Sequence, residues 1–318
     1  MNLRDIQNAR ERIRPYIRKT PLIPSPFLSE AVEGKIFLKL ENLQDIGSFK
    51  IRGAVCRLLG LNKEEREKGV LTASAGNHGQ GLGMAAQLLG VKATVVVPEN
   101  TPRTKLEGMK RLGVKLLVHG QSYSEAEEHG RKLEKETGMC FVSPYNDPDV
   151  ITGQGTIALE ILEDLPRTQN IVVPVGGGGI ISGIALAAKG LNPQIDILGV
   201  QADSSPVFTE SLKAGHIVHP QLEETIAEGV HGHVEEDAIT FPIIRDHVDE
   251  MLLVSEEEIK AAVLLFLKHH GMVAEGAGAV GLAAVLRYPE LFRGKTTVVV
   301  VTGRNMDLAL LKEILGKG

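Results

Sequence analysis

The sequence has few of the residues that stabilise small extracellular proteins. It contains two cysteines, Cys56 and Cys140, in 318 residues, together with no tryptophan and only 12 aromatic residues. So few cysteines argue against a disulfide framework and favour a reducing compartment. The N-terminus is charged where a signal peptide needs an apolar core, and no apolar run approaches the ~18 residues of a membrane span. We therefore expect a soluble, cytoplasmic protein that does not act at a membrane.

The chain also lacks an excess of basic residues. Its 35 Lys and Arg residues against 40 Asp and Glu residues give a formal net charge of −5, whereas a nucleic-acid-binding surface usually shows a basic excess. Hydrophobic residues make up 43% and charged residues 24%, which is ordinary for a globular protein and excludes long disordered regions. The length corresponds to about two domains of ~150 residues each.

Glycine is the residue that is present in excess, at 35 of 318 positions. Strand-like runs alternate with helix-like patterns almost throughout the chain. Continuous β-branched runs between helices are typical of parallel sheets that are buried on both faces. The sequence therefore predicts an α/β fold in which parallel sheets are flanked by helices. The predicted strands span residues 36–40, 70–73, 94–97, 115–118, 171–173, 197–200, 251–254 and 297–301.

Four consecutive glycines, Gly176, Gly177, Gly178 and Gly179, follow the predicted strand at 171–173. We call them the tetraglycine loop. Backbone N–H groups that converge at the start of a helix bind phosphate, and a plain glycine-rich turn is the alternative. Because four glycines in a row carry a high entropic cost, we favour the phosphate site. The loop is neither a Walker A motif nor a clean Gly-x-Gly-x-x-Gly dinucleotide motif, which disfavours a nucleotide-dependent dehydrogenase.

A second loop, which we call the 74–78 loop, joins the strand at 70–73 to a helix and consists of Ser74, Ala75, Gly76, Asn77 and His78. Free N–H groups, an amide and an imidazole at the carboxyl end of a strand suit the binding of a carboxylate or a cofactor. Capping of the following helix by the serine or the asparagine accounts for the same residues equally well. The loop alone leaves both alternatives open.

Two further segments contain candidate residues. Lys50 lies between Phe49 and Ile51 at the predicted start of an apolar helix, a setting that favours the neutral amine of a nucleophile. A lysine that extends into solvent from a helix end is the alternative, and it is favoured from this segment alone. Thr302 follows the last predicted strand, where its hydroxyl binds a ligand or caps a helix.

Taken together and in this order, the segments resemble the fold-type II threonine and serine dehydratases, or threonine ammonia-lyases. These enzymes use pyridoxal 5'-phosphate, and the resemblance covers nearly the whole chain. It implies a two-domain fold like that of tryptophan synthase β. The large cofactor-binding domain is expected to comprise residues 1–46 and 141–318, and the small domain residues 47–140. The active site is expected in the cleft between them.

The resemblance also implies roles for individual residues. Gly47-Ser48-Phe49-Lys50 resembles the cofactor-lysine motif, which makes Lys50 the catalytic Schiff-base residue and places Phe49 beside the cofactor. Asn77 is implied to contact the ring oxygen of the cofactor, and Thr302 its pyridine nitrogen. Glu275 lies in a further family segment near the cofactor. The tetraglycine loop is implied to bind the phosphate, and the 74–78 loop the carboxylate of a small amino-acid substrate.

The implied reaction is a β-elimination, catalysed by a carbon–oxygen lyase of amino-acid metabolism that is a homodimer or a homotetramer. L-Threonine and L-serine would give 2-oxobutanoate or pyruvate plus ammonia, with the cofactor as electron sink. Within the same class, a serine racemase or a 3-hydroxyaspartate dehydratase is the alternative. From a different class, the chain is a non-catalytic binder of a phosphorylated ligand.

The sequence departs from the family pattern in several places. Ala75 replaces the second serine of the serine racemases, so efficient racemisation is not expected. Gln201 and Val207 replace two carboxylate ligands of the metal-binding members, so we expect no metal site. Arg304 replaces a glycine, and either points away from the site or selects a substrate with a second carboxylate. The chain ends at Gly318, so we expect no C-terminal regulatory domain and no feedback by isoleucine.

Overall fold

The run of valines at 298–301 lies in the larger of two sheets. The structure is a computed structural model that describes residues 1–316. In this part of the chain, one sheet has six strands in the order β1-β2-β10-β7-β8-β9, and the other has four strands in the order β5-β4-β3-β6. The strands are β1 (Leu22–Pro24), β2 (Lys35–Leu40), β3 (Val70–Ala73), β4 (Ala93–Val97), β5 (Lys115–Val118), β6 (Cys140–Phe141), β7 (Asn170–Pro174), β8 (Asp196–Ala202), β9 (Glu250–Val254) and β10 (Thr296–Val301).

Helices flank both sheets, as the α/β pattern predicts. Within residues 1–316, no helix is both long and apolar enough to cross a membrane. The helices are α1 (Leu3–Ile13), α2 (Pro26–Val32), α3 (Lys50–Leu59), α4 (Lys63–Lys68), α5 (Asn77–Leu89), α6 (Arg103–Arg111), α7 (Tyr123–Thr137), α8 (Pro148–Asp164), α9 (Gly179–Leu191), α10 (Val207–Ala214), α11 (Thr240–His247), α12 (Glu256–His270), α13 (Gly276–Arg287), α14 (Pro289–Phe292) and α15 (Leu308–Gly316).

Alternate residues of the central strands pack into two separate cores. Val299 and Val301 belong to the core that contains residues of α12 and α13, whereas Val298 and Val300 belong to the core that contains residues of α8 and α9. Successive side chains of a strand point to opposite faces of the sheet, and all six residues of β10 are buried. The uninterrupted apolar run is therefore the consequence of a strand that is covered on both faces.

Two short strands were not predicted from the sequence. β1 pairs with β2 in the antiparallel direction at the edge of the larger sheet. The remaining strand pairs are parallel, as predicted. β6 has two residues and pairs with β3. Strands of two or three residues are too short for a period-2 pattern to be visible. The domain division at residues 47–140 stays a prediction.

The carboxyl ends of strands from both sheets lead into the loops that the sequence singled out. β3 leads into the 74–78 loop and α5, β7 leads into the tetraglycine loop and α9, and β10 leads into the segment that begins with Thr302. That segment contacts the residues before α3, because Ser48 forms an isolated bridge with Gly303 and the Phe49 amide donates to the Thr302 carbonyl at 3.1 Å. Ligands of parallel sheets bind at such strand ends.

Candidate active site

Lys50 is the first residue of α3. Its Nζ atom donates a hydrogen bond to the carbonyl oxygen of Pro144 at 3.1 Å and lies 5.1 Å from the centre of the Phe49 ring. Burial lowers the pKa of the Lys50 amine to about 8, and the carboxylate of Glu275 opposes this shift. The lysine is therefore held inside the protein rather than extended into solvent, in a state that favours the neutral amine.

The tetraglycine loop leaves no room for side chains. A Cβ atom on Gly177 would lie 2.2 Å from Cδ1 of Tyr145, and one on Gly179 would lie 3.0 Å from Cα of the same tyrosine. Gly178 has a φ of +85°, which favours glycine. The loop therefore offers only its backbone at the N-terminus of the 13-residue helix α9, where the first N–H groups have no helical acceptor. Such a backbone cradle suits a phosphate group.

A cavity of about 360 Å³ joins the lysine to the tetraglycine loop. A larger space of about 1210 Å³ lies between α1, α8 and α9, but none of the predicted site residues lines it, so the smaller cavity is the candidate site. The residues around the smaller cavity are Phe49, Lys50, Pro144, Tyr145, Pro174, Gly176, Gly177, Gly178, Gly179, Ile180, Gly229, Val230 and Thr302.

Thr302 is also buried at this site. Its side chain is 4% exposed, and its hydroxyl donates to the Ala277 carbonyl at 3.4 Å. Oγ1 keeps its lone pairs, and a hydroxyl can both donate and accept. The cavity thus combines the Lys50 amine, the Thr302 hydroxyl and the glycine backbone. In that order, these groups suit the aldehyde, the ring nitrogen and the phosphate of pyridoxal phosphate.

The 74–78 loop does not cap helix α5. The helix begins after Gly76 with no side-chain cap, and the Ser74 hydroxyl accepts from the Gly76 amide at 3.2 Å within the loop itself. His78 is 3% exposed, and its Nε2 atom lies 3.0 Å from the Val142 carbonyl. Burial and the charge of Lys50 lower the pKa of this histidine to about 3, so its ring is neutral. The capping alternative for this loop is therefore wrong, and its substrate role stays a prediction.

Asn77 and Glu275 are in direct contact. The Asn77 Nδ2 atom donates to Oε1 of Glu275 at 2.6 Å, and burial raises the pKa of this carboxyl to about 7, although the hydrogen bond from Asn77 opposes the shift. Oε1 would be 2.0 Å from a Cβ atom on Gly303, so a side chain at this position would displace the Glu275 carboxylate. Asn305 also contacts Asn77, since its Nδ2 atom donates to Oδ1 of Asn77 at 2.7 Å.

Three residues of the candidate site were not identified from the sequence. Pro144 and Tyr145 follow the two-residue strand β6, which carries no visible strand pattern, and their contacts with the lysine and the glycines join segments that are distant in the chain. Asn305 lies three residues after Thr302, and its closeness to that candidate residue was the signal that could have found it.

The departures from the family pattern have structural explanations. The Gln201 Nε2 atom donates to the Ser205 carbonyl at 3.3 Å, and its Oε1 atom accepts from the Thr209 amide at 2.9 Å. Among residues 1–316, no group of three His, Cys, Asp or Glu side chains could hold a metal ion. Arg304 donates from Nη1 to the Asn42 carbonyl at 2.6 Å. This contact favours the alternative in which its side chain points away from the cavity.

Comparisons with known proteins agree with this geometry. The family described as pyridoxal-phosphate dependent enzymes matches residues 13–303. The chain is 44% identical over 318 residues to an L-threonine ammonia-lyase of Thermotoga maritima, and the match covers 100% of this chain and 79% of that protein. The structure is similar to that of maize serine racemase, with a TM-score of 0.93 and 35% identity over 99% of this chain and 97% of the racemase.

The structure is also similar to that of the processed form of threonine deaminase isoform 2 from Solanum lycopersicum. That comparison has a TM-score of 0.94 and 34% identity, and it covers 99% of this chain and 91% of the deaminase. The family match spans more than half of the chain and includes Lys50, both glycine-containing loops and Thr302. The chain therefore belongs to the family of pyridoxal-phosphate dependent enzymes.

Proposed function

We propose that the chain is a threonine and serine ammonia-lyase, which converts L-threonine to 2-oxobutanoate and L-serine to pyruvate with release of ammonia. The observation that carries the proposal is the placement of the Lys50 amine and the backbone of the tetraglycine loop around one cavity. The 44% identity with a threonine ammonia-lyase supports the choice of reaction.

When it is bound, pyridoxal phosphate supplies an electron sink for negative charge at the substrate Cα. We assign the phosphate to the tetraglycine loop, the ring oxygen to Asn77 and the pyridine nitrogen to Thr302, with Phe49 and Glu275 beside the ring. The threonine hydroxyl does not force that nitrogen to stay protonated, whereas a carboxylate would. Weaker withdrawal of charge by the ring favours rapid loss of the β-hydroxyl.

Lys50 is the catalytic residue in this proposal. A pKa of about 8 leaves a useful fraction of the amine neutral near neutral pH, so that it can accept the Cα proton. Residues 74–78 are proposed to orient the substrate carboxylate through the backbone N–H groups before α5. Since Ala75 carries no exchangeable proton, proton transfer is limited to the face of Lys50.

The alternatives have less support. A racemase requires a second proton carrier, which the methyl group of Ala75 cannot provide. A 3-hydroxyaspartate dehydratase requires a cation for the second carboxylate, and Arg304 is bound to the Asn42 carbonyl instead. We also propose a cytoplasmic location and a homodimeric or homotetrameric assembly. Light scattering of the purified protein would test the assembly.

The test of the proposal is a keto-acid assay with L-threonine, L-serine, D-serine and the hydroxyaspartates. We expect Lys50→Ala to reduce turnover of L-threonine to background, whereas Lys63→Ala, at an exposed position, keeps the wild-type rate. Borohydride treatment of the wild type should bleach its yellow colour and leave a pyridoxyl group on the peptide that contains Lys50. Wild-type turnover by the Lys50 variant would contradict the proposal.

A further inference from the structure

Three amide and carboxyl side chains form a directed hydrogen-bond chain, two of whose members pack against Gly303, the residue that follows Thr302 of the cavity. The Asn305 Nδ2 atom donates to the Ile46 carbonyl at 2.8 Å and to Oδ1 of Asn77 at 2.7 Å. The Asn77 Nδ2 atom then donates to Oε1 of Glu275 at 2.6 Å. Ile46 lies before α3 and Asn77 is the first residue of α5, whereas Glu275 precedes α13 and Asn305 follows β10. The hydrogen-bond chain therefore joins four separate parts of the sequence.

The direction of this chain is fixed at its Ile46 end. A backbone carbonyl only accepts hydrogen bonds, so the Asn305 amide must turn its nitrogen towards Ile46. That nitrogen has two hydrogens, and the second one reaches Asn77. The Asn77 oxygen must therefore face Asn305, because an Asn77 amide turned by 180° would bring two N–H groups together.

The same direction determines what Asn77 can offer to a ligand. One Asn77 N–H is bound by Glu275, which leaves the second N–H for another acceptor. In the turned orientation, the amide would present an oxygen lone pair at that place instead. Asn77 is partly exposed, so this group is open to a ligand.

We propose that Asn305 is a positioning residue that makes Asn77 present an N–H, and not a carbonyl oxygen, to the ring oxygen of the cofactor. This proposal rests on the proposed function, in which Asn77 contacts that oxygen. A deprotonated ring oxygen is anionic, so it is stabilised by an N–H donor and repelled by a carbonyl oxygen. Asn305 thereby acts on the cofactor through Asn77 without contacting it.

Asn305→Asp tests the proposal because it keeps the shape of the side chain and removes both donors. The new carboxylate would face the Asn77 oxygen and favour the turned orientation. Adding Glu275→Gln gives the turned amide a donor for its oxygen, so the double variant pairs Asn77 again with reversed polarity. In Glu275→Gln alone, the new amide oxygen can still accept from Asn77, so this single variant is the matched control.

The measurements are the melting temperature of the cofactor-free protein, the dissociation constant of pyridoxal phosphate and the absorption spectrum of the bound cofactor. We expect the double variant to melt closer to the wild type than Asn305→Asp does, and yet to bind pyridoxal phosphate about tenfold to a hundredfold more weakly with an altered spectrum. Glu275→Gln alone keeps the wild-type orientation of Asn77 but removes a carboxylate beside the ring, so its affinity and spectrum are the reference from which the additional loss in the double variant is measured.

A double variant that binds pyridoxal phosphate with wild-type affinity and spectrum would overturn the proposal. If Asn305→Asp does not fold, Asn305→Ala, which removes the donors without adding a charge, is measured in its place, and a smaller loss of affinity is expected because neither orientation of Asn77 is then enforced. The assigned reaction fails separately, since wild-type protein that binds pyridoxal phosphate and forms no keto acid would contradict the function alone.

Discussion

Arg52 and Glu41 form a two-point ion pair inside the protein, in which the Nε and Nη2 atoms of the arginine each donate to one carboxylate oxygen at 2.8 Å. Glu160 of α8 accepts from the other side of the guanidinium at 2.7 Å and also pairs with Lys39 at 2.6 Å. Arg52 and Glu41 are fully buried. The cluster ties α3 to β2 and α8, and Arg52 is two residues from Lys50.

Arg52→Met should therefore destabilise the protein strongly, because it leaves two buried carboxylates without their shared cation. Breaking such a pair costs about 3–5 kcal/mol, which a urea denaturation curve would measure at pH 7. Arg245→Met is the control, since Arg245 and Asp246 are about half exposed and such pairs contribute little. Equal midpoints for the two variants would contradict the prediction.

The effect of Arg52→Met should depend on pH. In the wild type, the arginine and Lys39 hold the pKa of Glu160 below its usual value against the opposing effect of burial. This carboxylate therefore stabilises the fold above its unfolded pKa, and that contribution is lost as the pH falls. Without the arginine, burial dominates and raises the pKa of Glu160, so protonation of this carboxylate removes a buried unpaired charge from the variant. The difference in the free energy of unfolding between the wild type and Arg52→Met should therefore become smaller as the pH falls towards 4.

Uptake of pyridoxal phosphate by the cofactor-free protein should become faster as the pH rises through about 8. Only the neutral amine of Lys50 attacks an aldehyde, and burial lowers its pKa to about 8, so the amine is protonated and inactive below that value. Glu275→Gln removes the carboxylate that opposes the shift, which should move the transition to a lower pH. The measurement is the rate of the absorbance change after mixing. A midpoint near 10, typical of exposed lysines, would show that Lys50 is not the reacting group.

Chelation should leave both the activity and the melting temperature of the enzyme unchanged. The Gln201 amide already joins the Ser205 carbonyl to the first turn of α10 at 3.3 and 2.9 Å, and Val207 is buried with no oxygen to offer. Neither residue provides the anionic ligands that a divalent cation prefers. The comparison is between dialysed enzyme with excess EDTA and the same sample after magnesium is added. Losses that magnesium restores would falsify the metal-free assignment.

The strands of the central sheet could be predicted because their signal is local. Four adjacent valines in β10 are buried on both faces, and such runs are visible in any window of the sequence. The candidate residues of the site were found for a similar reason, since the lysine and the glycines lie in short contiguous motifs. The structure brings Phe49, Lys50, Thr302 and the tetraglycine loop to one cavity.

What the sequence could not provide is the pairing of residues that are distant in the chain. Arg52 meets Glu160 across 108 positions, and each charged residue alone is typical of a solvated surface. Tyr145 covers Gly177 because two loops from different sheets meet. No periodicity encodes such contacts, because they depend on how the sheets and helices pack after each has formed.

Ala75 should make elimination prevail over racemisation. Exchange of the Cα proton between the two faces of the substrate needs an acid or base on each face. Lys50 is proposed to serve one face, and the 74–78 loop would approach the other. A methyl group neither donates nor accepts a proton, so the wild type should form pyruvate from L-serine with little D-serine. Chiral chromatography of the reaction mixture measures both products.

Ala75→Ser should raise the ratio of D-serine to pyruvate, because it restores a hydroxyl at the second face. Ala75→Val is the matched control, since it adds bulk to the same position without an exchangeable proton and should leave the ratio at the wild-type value. The ratio is preferable to the rate, because both variants change the packing of the loop that precedes α5. Abundant D-serine from the wild type would mean that another residue serves the second face, and the role assigned to position 75 would then be wrong.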